Sequence, residues 1–95
     1  IRFSSETDCA YLNTTSTTEI YDAKLKRKII VEKAGSASTV VWNPWIAKAK
    51  AMADFGDDEY LRMVCVESGN IAENKIVLPP GKMASLKVNL RTTNL

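Results

Sequence analysis

Hydrophobic and polar positions alternate with a period of two along most of this chain, and that alternation predicts strands. The clearest case is residues 85–91, where Leu86, Val88 and Leu90 fall on one face and Lys87, Asn89 and Arg91 on the other. A half-buried antiparallel strand reads this way. Ile29, Ile30 and Val31, bracketed by Lys28 and Glu32, predict a second strand, and residues 39–42, 62–67 and 75–78 three more. Residues 8–13 and 19–22 give weaker alternations with polar neighbours. One segment breaks the period. Asn43 and Pro44 open an alanine- and lysine-rich run, with Asn43 placed as N-cap and Pro44 at the first helical position. A helix of about two turns is expected there. Gly56 ends it, and the acidic residues 57–59 can start a second turn.

Breaks fall where turn chemistry puts them. Residues 22–27 and 34–36 read as strand connections, and Pro79-Pro80-Gly81 as a hard stop, because proline has no N–H for a ladder. Residues 13–18 are nearly all Thr, Ser and Asn, an exposed loop that contains the glycosylation pattern Asn13-Thr14-Thr15. Seven candidate strands and one short helix predict a mainly β chain, an antiparallel β-sandwich in a single unit over residues 1–95.

Composition narrows the chemistry. At 95 residues the chain buries only around 60–65% of the surface its unfolded form exposes. Thirteen Lys+Arg against eleven Asp+Glu is too even a balance for a nucleic-acid-binding or polybasic membrane surface. No apolar run is long enough for a membrane span and no leader precedes a cleavage site, so a cytoplasmic location is expected. The chain contains no histidine, which removes histidine acids, bases and ligands. Its two cysteines, Cys9 and Cys65, are too few for a zinc cluster; they are either a disulfide or free thiols. The chain begins at Ile1 in strand-like sequence without an initiator Met, which reads as a cut end.

Glu67 stands out among the candidate functional residues. In Met63-Val-Cys-Val-Glu67, alternation sets Glu67 on the face of Met63 and Cys65, with Val64 and Val66 opposite. Both faces are apolar, which predicts a central strand covered on both sides. A carboxylate at its end is either desolvated, and so tuned as a proton carrier, or a strand-end side chain pointing into water. Asp8 opens a strand and is either a site residue or a turn group. Trp42 and Trp45 flank a strand-to-helix turn, and can stack on a sugar or fill a core. Lys48, Lys50 and Arg62 can meet an anion or form a solvated face.

Residues further apart carry a resemblance. Val40-Val-Trp-Asn-Pro-Trp45, Lys48-Ala-Lys50, Met52, the stretch from Asp54 to Tyr60, and Met63-Val-Cys-Val-Glu67 together resemble the glucose-6-phosphate 1-epimerases, hexose-6-phosphate mutarotases of the aldose-1-epimerase superfamily. Thr7-Asp8, Tyr11, Asn13 and the Pro80-Gly81 turn also fit. The resemblance implies a galactose-mutarotase-like supersandwich of which these residues form the C-terminal part, a single partial domain. It implies interconversion of the α and β anomers of a hexose 6-phosphate with no metal or organic cofactor. By resemblance Glu67 matches the catalytic base and Asp8 a sugar-contacting aspartate. The family's histidine acid has no counterpart here, and its phosphate-holding residues lie mostly upstream, so none is assigned to Lys48, Lys50 or Arg62. Cys9-Ala10 departs from the family's Arg and β-branched pair, which bears on Asp8 more than on Glu67. The chain alone is then expected to be nearly inactive, and a non-catalytic carbohydrate-binding domain is the alternative. Self-association through a cut sheet edge is a further expectation.

Overall fold

The computed structural model describes residues 1–95 and places six strands, one α-helix and two 3-10 turns along the chain. The strands are β1 (Thr7–Tyr11), β2 (Thr18–Asp22), β3 (Arg27–Ala34), β4 (Ser38–Asn43), β5 (Cys65–Gly69) and β6 (Lys87–Asn94), and helix α1 is Trp45–Ala51. They form two antiparallel three-stranded sheets, ordered β1-β4-β5 and β2-β3-β6. The mainly β architecture with one short helix is thus the one the alternation predicts.

The β3–β4 corner joins the two sheets. Gly35 turns it at φ +77°, and a Cβ there would collide with the Ser85 carbonyl oxygen. Lys33 Nζ donates to the Ser38 carbonyl at 2.9 Å and to Thr39 Oγ1 at 2.8 Å. Alternation along β3 therefore turns Ile29 and Val31 toward β4 together with Lys33. Burial lowers the Lys33 pKa, since no carboxylate pairs with its ammonium. The buried hydrophobic residues are Ile30, Val31, Val41 and Ala49, on the two middle strands and the helix. Ile30 lies on the outer face of β3, between Glu19 and Arg91 in register. Its cover is charged: Glu19 pairs with Lys28 at 3.1 Å and Glu32 with Arg91 at 2.9 Å.

Five expectations change. Residues 75–78 form no strand; they run without a ladder partner into Pro79, and Val77 is 78% exposed. The strand expected over 62–67 starts only at Cys65, after the 3-10 turn Glu59–Arg62. Asn43 explains the delay, because its amide donates to the carbonyls of Tyr60 (2.9 Å) and Met63 (3.0 Å) and keeps that segment curled. β5 is an edge strand, with β4 in the centre, so two apolar faces do not make it central. β6 is exposed along nearly its whole length instead of half-buried, because it lies at the edge of its sheet with β3 as its one ladder partner. At the helix start, Trp45 is the first helical residue, one later than expected. Asn43 Oδ1 still accepts from the Trp45 N–H at 2.9 Å, the bond its sequence position predicts.

Candidate functional site

Sheet register decides which side chains meet. Asp8 lies opposite Trp42 and Trp42 opposite Cys65; one step along, Ala10 lies opposite Val40 and Val40 opposite Glu67. These two rows are two residues apart, so all six side chains project from the same face of the β1-β4-β5 sheet. Asp8 and Glu67 thus share one face across the width of the sheet. Two strand spacings and a two-residue offset put their Cα atoms about 12 Å apart. The Trp42 indole stands between them, half-buried, and Lys48 Nζ sits 5.8 Å from its ring centroid. A pair of carboxylates, an aromatic plane and one ammonium therefore share a single surface.

The helix turn fixes the edge of this surface. Trp45 holds φ +60°, a left-handed conformation that costs a bulky residue about 1–3 kcal/mol. Two contacts hold it there: the Asn43 hydrogen bond to its N–H, and an edge-on packing against Tyr60 with ring centroids 5.2 Å apart. The two tryptophans consequently divide their roles. Trp45 packs, and Trp42 faces the carboxylates.

Glu67 and Asp8 are both exposed, and neither side chain bonds to another group in the chain. The desolvating cover that two apolar faces suggested is not supplied by these residues. Cys65 is half-buried beside Glu67, and burial together with the Glu67 charge pushes its thiol above the ordinary range. Cys9 projects from the opposite face of β1, two strands away from Cys65, and both thiols are free. The two main hollows take in neither carboxylate. One, of about 470 Å³, runs along Ala10, Tyr11, Thr39 and Val41; the other, of about 320 Å³, lies among Phe55, Glu59, Arg62 and Met63. The carboxylate face is open, not a cleft. No three Cys, Asp or Glu side chains converge in a way that would hold a metal ion, and no helix is long and apolar enough to cross a membrane.

A family model described as aldose 1-epimerase matches residues 1–91. The chain belongs to the aldose 1-epimerase family. It is 49% identical over 82 residues to a Cenchrus ciliaris protein named "Putative glucose-6-phosphate 1-epimerase", covering 86% of this chain. A Haemophilus influenzae protein of the same printed name is 28% identical over 88 residues, 93% of this chain. The chain spans 25% and 30% of the length of those two relatives. No solved structure matches it significantly.

Within this member of the family, the sequence pattern singles out both carboxylates but not their shared face. Alternation gives the side of a strand each residue occupies, not which strand lies next to it. It also left Trp42 between core and site, and Lys48 unplaced. The only available signal was the six-residue spacing from Trp42 at the strand end to Lys48 one turn into the helix, which lets the lysine fold back over the indole.

Proposed function

We propose that this chain carries the carboxylate side of an acid/base site for interconverting the α and β anomers of a hexose 6-phosphate, with glucose 6-phosphate the expected substrate. Glu67 acts as the base, taking the proton from the anomeric hydroxyl as the bond between C1 and the ring oxygen breaks. An acid protonates that ring oxygen, giving the open-chain aldehyde. Rotation about C1–C2 and closure return both protons and leave the opposite anomer, so atoms and charge balance without a cofactor. Asp8 holds a sugar hydroxyl, and the Trp42 plane supports the apolar face of the ring. The observation carrying this reading is the register that sets Asp8, Trp42 and Glu67 on one face.

The acid is the missing part. The chain has no histidine, and Glu67 without a proton donor forgoes roughly 10²–10⁴ in rate. The chain alone is therefore nearly inactive, while a longer protein that supplies the acid is active. Two free thiols suit a reducing, cytoplasmic setting. The half-exposed Trp42 ring on an open face also favours a second reading, a carbohydrate-binding face without turnover.

Two measurements test this. Titration with glucose 6-phosphate, followed by NMR, is expected to shift Asp8, Trp42 and Glu67 together; no response there at millimolar sugar phosphate overturns the assignment of the face. Polarimetry of anomer interconversion is expected to show no acceleration by the chain alone. Acceleration that disappears in Glu67→Gln would instead place a complete acid/base pair within these residues.

A further inference from the structure

Edge strand β5 carries Glu67, and neither a tight turn nor its own sequence sets how it pairs. Residues 44–64 separate it from β4, its one ladder partner, so no hairpin loop fixes the register. The residues leading to Glu67 are apolar on both faces, Val64 and Val66 on one and Met63 and Cys65 on the other, so the pattern favours neither. A slide of one residue puts Val66 or Ser68 opposite Val40 and turns Glu67 away from Asp8 and Trp42. Register therefore decides whether the carboxylate face exists.

The ties that oppose such a slide lie just past Glu67. Asn70 Oδ1 accepts from the Ala37 N–H at 2.8 Å while Asn70 Nδ2 donates to the Gly35 carbonyl at 2.8 Å, so one amide straddles the β3–β4 corner. Four residues on, Asn74 Oδ1 accepts from the Ser38 hydroxyl at 3.0 Å and from the Asn13 N–H at 2.9 Å, and Asn74 Nδ2 donates to Asn13 Oδ1 at 2.8 Å. Ser38 is fully buried and stands opposite Gly69 in register. At the other end of β5 the nearest side-chain tie runs from Asn43 to the Met63 carbonyl, two residues before the ladder begins.

We propose that Asn70 and Asn74 are positioning residues, which lock the register of β5 on β4 and thereby hold Glu67 on the face of Asp8 and Trp42; their bearing on the reaction rests on the reading of Glu67 as the base. A one-residue slide moves the Asn70 amide about 3.3 Å along the strand, out of reach of both its partners at once. Two such bonds favour the native register about tenfold or more.

NMR of the intact chain tests this, and its register readout needs no sugar. Each of Asn70→Ala and Asn74→Ala is expected to raise the slipped population about tenfold, read by relaxation dispersion of the β5 amides. Combined, they are expected to replace the Val40–Glu67 cross-strand NOEs by NOEs from Val40 to Val66 or Ser68. The response of Glu67 to glucose 6-phosphate is expected to vanish with them, while the β2-β3-β6 sheet keeps its wild-type NOEs. If the combined variant unfolds, dispersion in the two single variants decides. Asn13→Asp keeps the oxygen that accepts from Asn74 and is expected to leave both readouts unchanged. Ile30→Val trims the core on the other sheet, and is expected to lower stability without moving the register. Wild-type register in both single alanine variants overturns the proposal, whether or not glucose 6-phosphate binds, and so does an Ile30→Val chain that slips as far as they do. A register that shifts as expected, in a protein whose wild type shows no sugar response, supports the lock and overturns instead the assignment of the face.

Discussion

At the residue scale, Asn43 and Glu67 have opposite relations to stability. Asn43 is buried, and its amide spends both donors on the carbonyls of Tyr60 and Met63 while its oxygen accepts from Trp45. Replacing it with alanine orphans two carbonyls and one N–H at about 1–3 kcal/mol each where burial persists. Asn43→Ala is expected to cost at least about 2 kcal/mol by urea denaturation, and to release Trp45 from its left-handed conformation. Glu67 makes no bond within the chain, so Glu67→Gln is expected to leave stability within about 0.5 kcal/mol. The same substitution removes the NMR response to glucose 6-phosphate at the carboxylate face. Loss of both stability and response would mean that Glu67 is structural. The identities of both residues were legible in the sequence, Asn43 as a cap and Glu67 as an acid among apolar neighbours. Asn43's second task was not, because the Tyr60 and Met63 carbonyls are backbone groups that no side-chain pattern announces.

At the element scale, the ion pairs of the β2-β3-β6 sheet make its strand pairing depend on pH. Hydrogen bonds from Tyr21 and Lys28 hold Glu19 below the ordinary carboxylate range; Leu25 N–H and Arg27 do the same for Asp22, and Asn89 and Arg91 for Glu32. A depressed folded pKa adds stability that is fully present above the unfolded value of about 4 and is lost as pH falls through the folded values. Since all three carboxylates are solvent-accessible, the effect is modest and screened by salt. Protection factors of the β2 and β6 amides, corrected for intrinsic exchange, are expected to fall between about pH 5 and pH 3, roughly the window those shifts define, more than those of β4. Equal loss of protection in both sheets would contradict it. Gly35 governs the same sheet from its corner. Gly35→Ala meets both a left-handed φ and the Ser85 carbonyl, and is expected to destabilise by about 1–3 kcal/mol while freeing the start of β6. Strand existence was read well from alternation for β3, β4 and β6. Residues 75–78 failed because alternation cannot guarantee a partner strand, and β5 moved because the Asn43 bonds hold residues 60–63 in a turn.

At the scale of the whole molecule, the small core sets where protection ends. The Cα radius of gyration is 15.6 Å, against about 12 Å for a compact domain of this length. Only nine of 95 residues are buried, and the buried hydrophobics sit on β3, β4 and α1. Exposed large hydrophobics concentrate toward the end of the chain, from Ile71 through Leu95. Local opening costs least where apolar contacts are few. In dilute solution, amides of β3 and β4 are therefore expected to exchange slowest. Those of β6 facing away from β3 are expected to exchange much faster, although β6 is as long as β3. Protection of the outward-facing β6 amides equal to that of β3 and β4 would contradict this, and would mean that the fold is held by more than the few buried side chains of β3, β4 and α1. The prediction thus tests how little of the molecule its own core holds.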